Sequence, residues 1–403
     1  MFCPIAILLA GLLLTEPPPP KFYKGNTHTH TLWSDGDAAP EQAVDWYRSH
    51  GYHFLVLSDH NILSEGERWF PIEEGDRSRL TAKRVAALQE RFGARRVELR
   101  ERAGTSEMRL LTLTELRRRF ERKGEFVLIQ GEEVTDRYDP RTQGGRAVPV
   151  HVNGVNTSEL IKPQGGESAA EVINRNVEAI IADGRKSGKP VLAHINHPNF
   201  GWALTWEDVA AVSADRFFEV YNGHRSVHNQ GDETRDSMDR LWDRALTLRL
   251  TELDLGLLYG LATDDSHNYH DQPKTAVPGR AFIMVRAGAL DGDRIVRAMK
   301  QGDFYASTGV VITDFSHDGE RYRVEPAPRK GEQLTVRFVG TRRGPEGIGD
   351  AGEVLMETTD NPAVYEFKGD ELYVRPVVVS SLPHPDPAEP GDLQTAWLQP
   401  VIP

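Results

Sequence analysis

Thiols are almost missing from this chain: among 403 residues there is one cysteine, Cys3. A single thiol closes no internal disulfide, so disulfides neither staple the fold nor report its compartment. Long hydrophobic runs are scarce as well. The apolar run 4–14 is shorter than the roughly 20 residues a bilayer requires, which predicts no stable membrane span. Basic residues are in deficit, 48 Lys and Arg against 60 Asp and Glu, for a net charge of -12. That balance weighs against a duplex nucleic-acid surface, although a local basic pocket for a nucleotide-sized substrate survives it. Neither G-x-S-x-G nor H-E-x-x-H occurs, which removes the serine-hydrolase elbow and the helix-borne zinc protease. The stretch 184–189, GRKSGK, has Pro190 where a phosphate loop needs Ser or Thr, and it precedes a strand; it reads as a helix end.

What is present divides into three parts. Residues 1–20 combine an apolar core of signal-peptide length with the proline run 17–20, a stiff extended spacer, and point to a secreted or periplasmic protein. From residue 21 to 309, short apolar strands alternate with helical stretches, the pattern of an α/β domain with mainly parallel strands. Strands are predicted at 54–58, 126–129, 149–155, 190–195, 217–221 and 258–262, and helices at 39–49 and 169–185, the latter with Ile173, Val177, Ile180 and Ile181 on one face. The Arg- and Glu-rich segment 64–124 interrupts the alternation and reads as a solvated helical insertion, with helical runs at 82–92 and 114–123. After about residue 309 helical periodicity disappears, and strand-like runs at 334–340, 363–367 and 372–380 predict a small β domain over 310–403. A parallel α/β barrel or a related curved sheet is the economical architecture for the larger part.

Metal-ligand residue types recur at the ends of these strands. NTHTHTLWSDGD brings His28, His30 and Asp35; 54–58 leads into Asp59 and His60; 126–129 leads into Glu132 and Glu133. His151 lies in the next strand, His194 and His197 close the one after, Glu219 and His224 flank Tyr221, and TDDSH supplies Asp264, Asp265 and His267. Side chains at the ends of neighbouring barrel strands converge on one pocket. In an extended segment His28 and His30 project to the same side, and a turn containing Gly36 brings Asp35 back toward them. Imidazoles and carboxylates without thiolates suit Zn, Mn, Fe or Ni rather than Ca or Mg. A lone buried histidine is usually a hydrogen-bonded core residue, and His50, His53, His228, His270, His317 and His384 are read as non-ligands.

Taken in order, His28-x-His30 with Asp35, Ser-Asp-His60, Gly-x-Glu133, His151, His197-Pro and Asp265-x-His267 resemble the PHP (polymerase and histidinol phosphatase) superfamily over residues 21–309. The phrases HINHPN, EVYNG and TDDSH, with GDFYASTG before a β region, look most like its CehA/McbA-like metallohydrolase branch. The resemblance implies a distorted seven-stranded (β/α) barrel holding two or three divalent transition metals, Zn, Mn or Fe. His28, His30, Glu133 and Asp265 would hold one; Glu133 would bridge to a second held by His151 and His197; Asp35, His60 and His267 would take a third. Choosing Glu133 over Glu132 and His197 over His194 rests on motif alignment. Asp265, His267 and His197 are the implied catalytic residues, and Asn222, His224 and Arg225 the candidates for binding a substrate's anionic group, although the same three suit a loop that caps its own backbone. The implied activity is hydrolysis of a small phosphate ester or nucleotide. A carbamate, ester or amide hydrolase is the alternative, and a metal-stabilised protein without turnover the alternative of another class. The expected partner is a small molecule, and the oligomeric state is not legible.

Overall fold

In a computed structural model, the structure describes residues 20–75, 77–140, 145–270 and 274–403. Cys3, the apolar run 4–14 and prolines 17–19 lie outside them. Among the described residues no helix is long and apolar enough to cross a membrane.

The fold is mixed α/β around one large sheet. β1 (Lys21–Asn26), α1 (Pro40–Ser49) and β2 (Phe54–Leu57) open the chain. The segment read as a helical insertion carries α2 (Ala82–Phe92) and α3 (Leu113–Phe120), but also β3 (Trp69–Pro71), β4 (Leu99–Arg102) and β5 (Thr105–Arg109), paired as a separate sheet in the order β3-β5-β4. Next come β6 (Val127–Tyr138), β7 (Val148–Val155), α4 (Ala169–Ser187), β8 (Leu192–Ile195), α5 (Trp206–Ala210), β9 (Phe217–Asn222), α6 (Met238–Leu248), β10 (Tyr259–Thr263), β11 (Phe282–Ala287), α7 (Gly292–Lys300) and β12 (Phe304–Ser307). The remaining strands are β13 (Ile312–His317), β14 (Arg321–Pro326), β15 (Leu334–Gly344), β16 (Gly347–Ile348), β17 (Glu353–Thr358), β18 (Ala363–Glu366), β19 (Glu371–Pro383) and β20 (Leu393–Leu398).

Seven strands, β10-β9-β8-β7-β6-β2-β1, lie side by side in that order. Their pairings are parallel except around β7, which runs antiparallel to both β6 and β8. An isolated parallel bridge, Thr29 to Ser266, joins the chain just past β1 to the chain just past β10. Full pairing along β1 is taken elsewhere, because its other edge is occupied by antiparallel β11. The sheet then continues through β12, β20, β19 and β15, giving fourteen strands that run from the α/β part into the C-terminal strands without a break. The architecture is therefore a large mixed sheet whose seven-strand stretch curls until its ends touch.

Local sequence explains the framing elements. β2, β8, β9 and β10 are buried along their whole length; β2 reads as a continuous apolar run for that reason, while β8 and β9 each carry one ionisable residue, His194 and Glu219, among mostly apolar ones. Helix α4 starts at Ser168, whose side chain accepts from the Glu171 N–H, and ends at Gly188 in the left-handed region. Ile173, Val177 and Ile180 are buried on its sheet-facing side. α6 is tied to the C-terminal strands by a buried ion pair: Asp243 Oδ1 and Oδ2 accept from Arg375 Nε and Nη2, each at 2.7 Å, and Oδ1 also accepts from the Tyr373 hydroxyl at 2.8 Å.

Alternation along β6 separates two adjacent glutamates. Glu133 faces the histidines, whereas Glu132 accepts from the Ile161 N–H at 2.7 Å and its Oε2 is buried without a hydrogen-bond partner among the described residues. Burial pushes the Glu132 carboxyl up to about 8, against 4.5 for an exposed glutamate.

Two stability experiments follow from these contacts. Asp243→Ala leaves the buried Arg375 charge with the exposed Asp239, 3.1 Å away, as its carboxylate partner among the described residues and should cost about 3 kcal/mol, read by urea denaturation. For Glu132 the folded state holds a proton that the unfolded chain releases, so its contribution falls as pH rises from about 4.5 through about 8. Glu132→Gln should therefore be more stable than the native chain at pH 8, by roughly a few kcal/mol, and closer to it at pH 5.

Candidate metal centre

The chain bends at Thr27 after β1, and His28 and His30, on either side of the bridging residue Thr29, are both buried with ring centroids 5.1 Å apart. Asp59, just past β2, pins the loop that follows. It accepts from the Thr31 and Ser34 backbone N–H groups at 2.8 and 3.0 Å and from their hydroxyls at 2.9 and 2.6 Å. Gly36 allows that loop to fold back: a Cβ there would lie 2.7 Å from the His30 carbonyl carbon and the Thr31 nitrogen. Asp35 is thereby returned to the mouth of the site, 3.3 Å from His267 Nε2 and 3.5 Å from His60 Nε2.

Glu133 is the centre of the cluster. Its Oε1 lies 3.0 Å from His151 Nδ1 and 3.4 Å from both His28 Nε2 and His197 Nε2, and it accepts from Asn196 Nδ2 at 2.8 Å. Its Oε2 lies 2.8 Å from His60 Nδ1 and 3.3 Å from His30 Nε2. Asp265 Oδ1 lies 3.2 and 3.3 Å from the Nε2 atoms of His28 and His30. His267 is held through Nδ1 by the Asp265 carbonyl at 2.8 Å and stacks on His30 with centroids 4.0 Å apart. Two of these residues sit in the left-handed region, His197 at φ 26° and Asp265 at φ 48°, strain of the kind that persists where surrounding contacts over-determine a site.

Charge follows from this geometry. Burial works against the Glu133 and Asp265 carboxylates, but His60, His28 and His151 around the first, and His28 and His30 around the second, hold both well below the usual range. Burial likewise opposes protonation of His60, yet Glu133 and Asp35 push it up to about 11. His30 goes the other way, down to about 3, through burial and the neighbouring His267 and His60. Among the described residues the ion-pair partners of Asp35, Glu133 and Asp265 are all histidines.

The donor set fits metal ions. His28 Nε2, His30 Nε2 and Glu133 Oε2 are buried and, among the described residues, lack a hydrogen-bond partner. Orphaned lone pairs on two imidazoles and a carboxylate, with Asp265 beside them, form a cradle for cations. Four overlapping sets of donor atoms lie within 4.8 Å of one another: His28, His30 and Asp265; His28, Glu133 and His197; His60, Glu133 and His151; and His30, Asp35, His60 and His267. All nine residues that the resemblance implies as metal ligands are in these sets. The grouping differs from that implied by the resemblance in that His60 shares Glu133 with His151, and His197 shares it with His28.

The other expectations fare differently. His194 is buried but takes part in none of the four sets, its Nδ1 lying 3.9 Å from Glu219. Asn222, expected at the mouth, is wholly buried, with its amide donating to Glu219 at 2.8 Å and to Asp265 at 3.2 Å. Arg225 is tied away from the cluster by Asp386 at 2.8 Å. His224 does reach the rim, with its ring 5.9 Å from that of His267 and 5.7 Å from Phe200. Its Nδ1 accepts from the Ser226 N–H at 3.0 Å, and burial brings it down to about 4, so the neutral ring carries its proton on Nε2. Asn196, inside HINHPN, and Thr135, whose hydroxyl is 2.5 Å from His60 Nδ1, are parts of the site that residue type did not signal.

No family model matches the chain, and no curated protein does. Among solved structures it is similar to a two-domain protein containing a predicted PHP-like metal-dependent phosphoesterase from Bacteroides vulgatus, at 15% identity over 94% of this chain and 95% of that one, TM-score 0.39. A provisionally assigned metal-dependent phosphoesterase from Bifidobacterium adolescentis matches at 13% identity over 69% and 96%, TM-score 0.31. An amidohydrolase from Chromobacterium violaceum, with bound sulfate and no metal, matches at 16% identity over 63% and 93%, TM-score 0.27. Likeness at these scores carries no argument about chemistry, which rests on the donor geometry alone.

Proposed function

We propose that the protein is a metal-dependent hydrolase that holds two or three divalent cations around Glu133 and cleaves a phosphate ester of a small molecule or nucleotide. The observation that carries this is the two-sided carboxylate: Oε1 turned to His28, His151 and His197, Oε2 to His30 and His60. A carboxylate so placed suits a bridge between two cations. On this reading the seven strands that meet at Thr29 and Ser266 act as a PHP-type barrel, with the donors at its mouth.

In the sets the structure forms, His28, His30 and Asp265 would hold one cation, Glu133 with His60 and His151 a second, and His30, Asp35, His60 and His267 a third, while His197 shares Glu133 with His28. Such ions, when bound, lower the pKa of water and neutralise charge developing on the attacked group. The chain's own residues do the positioning. Asn196 holds Glu133 from one side, Thr135 orients His60, and His224 offers a neutral Nε2–H donor at the rim for a substrate oxygen.

One observation favours a second reading. Among the described residues the three carboxylates pair only with histidines, and Arg225, the guanidinium expected to take a phosphate, is engaged by Asp386. A neutral carbamate, ester or amide suits that environment too.

Elemental analysis of the purified protein should find at least two equivalents of Zn, Mn or Fe. Turnover of p-nitrophenyl phosphate or bis(p-nitrophenyl) phosphate supports the phosphoesterase reading, and turnover of an aryl carbamate or ester alone supports the second. Glu133→Gln should remove at least one equivalent of metal and lower turnover by on the order of 10³-fold, because charge stabilisation goes with it. Full activity in chelated, metal-free protein would overturn both readings.

A further inference from the structure

Strand β9 reads Phe-Phe-Glu-Val-Tyr-Asn and is buried throughout, yet its third residue is a glutamate. Glu219 has no exposure and no Lys or Arg partner among the described residues; its ion-pair neighbours are His28 at 2.7 Å and His194 at 3.9 Å. A carboxylate placed there is expensive unless every lone pair is used. All four positions are filled: Oε1 faces His28 Nδ1 at 2.7 Å and accepts from the Thr263 hydroxyl at 2.8 Å, while Oε2 accepts from the His197 backbone N–H at 2.7 Å and Asn222 Nδ2 at 2.8 Å.

We infer that Glu219 is the positioning residue of the metal centre, fixing His28 as the Nδ1–H tautomer and holding the backbone of His197 in place; the inference rests on the metal-centre reading above. An ionised carboxylate only accepts, so the proton between it and His28 sits on Nδ1. His28 Nε2 is then free to present a lone pair, and it is this atom that is buried without a hydrogen-bond partner, 3.2 Å from Asp265 Oδ1 and 3.4 Å from Glu133 Oε1. The second oxygen secures the residue at φ 26°, and through Asn222 it also reaches Asp265. One carboxylate thus couples donors delivered by β1, β8 and β10.

Glu219→Gln keeps the size of the side chain but replaces one acceptor with a donor. The amide then faces either His28 Nδ1, forcing the proton to Nε2, or the His197 N–H and the Asn222 amide, donor against donor. The variant should keep its far-UV circular dichroism while its affinity for zinc, measured by competition with a chromophoric chelator, falls about 10- to 100-fold. Glu219→Asp, which keeps the acceptors, should recover part of that loss. Histidine-selective ¹⁵N NMR of the native chain, with His28→Gln for assignment, should show a proton on His28 Nδ1, absent or shifted in Glu219→Gln. Zinc affinity within twofold of native in Glu219→Gln, or a His28 without a proton on Nδ1, would overturn the inference. If Glu219→Gln fails to fold, the native spectrum decides. A native protein that binds zinc but hydrolyses nothing removes the proposed activity and leaves the chelator measurement decisive; one that takes up no metal removes the metal-centre reading, and the Nδ1 proton still decides whether Glu219 sets His28.

Discussion

The structure is organised by the requirement that the Glu133 carboxylate be kept buried, ionised and surrounded by imidazoles. Five rings approach its two oxygens within 3.4 Å, and they come from the chain past β1, the chain past β2, β7 itself and the chain past β8. No single helix or hairpin can bring so many donors to one point. A curled sheet can, because the ends of successive strands lie about 4.8 Å apart and share a rim. Burying that much charge in a low-dielectric interior is costly until it is compensated, and the compensation available from this chain is histidine. The strain at His197 and Asp265 fits the same picture, since strand ends that stopped in relaxed conformations would aim elsewhere.

Much of this was legible in the sequence, for reasons that also mark where legibility ends. Strands buried on both faces write themselves as apolar runs, so 54–58, 190–195, 217–221 and 258–262 were recovered nearly to the residue. β6 runs on to Tyr138 through Glu, Thr, Asp and Arg, and its polar second half carries no apolar signal. The three-stranded sheet between β2 and β6 was hidden for a related reason: Leu99–Arg102 and Thr105–Arg109 are rich in charged residues and mostly exposed or half-buried, and read as part of a helical insertion. The pairing of β1 with β11 joins residues some 260 positions apart, and nothing local encodes it.

The candidate site divides along the same line. Residue type and strand-end position collected a wider set of candidates, Glu132, His194 and Glu219 among them, and the resemblance narrowed it to nine. Which donors share a cation depends on side-chain direction within the loops, and there the sequence is silent. Asn222 shows the difference: one residue from Tyr221, it was placed at the mouth, yet its amide turns inward to Glu219 and Asp265. Arg225 was equally well placed by position, but its reach is taken up by Asp386 from the loop between β19 and β20, a contact that the α/β part alone could not foretell.

A further regularity links fold to chemistry. The donor motifs come as adjacent pairs, Asp59-His60, Glu132-Glu133 and Asp264-Asp265, and in each one residue faces the cluster while its neighbour, an acidic residue, serves the scaffold. Asp59 holds the Thr31–Ser34 loop, Glu132 caps the Ile161 N–H, and Asp264 accepts from the Tyr47 hydroxyl and the Gly279 and Ala281 N–H groups, each at 2.8 Å. Successive residues of an extended chain point to opposite faces, so a strand end that offers a donor to the mouth must offer its next residue to the wall behind. Asp59 bonds the loop that carries Asp35, whereas Glu132 caps the Ile161 N–H with one oxygen, leaves the other without a hydrogen-bond partner among the described residues, and has its carboxyl pushed up by burial. Each pair thus divides its work between the cluster and the wall, which is why the metal-ligand pattern and the scaffold contacts occupy the same short stretches of sequence.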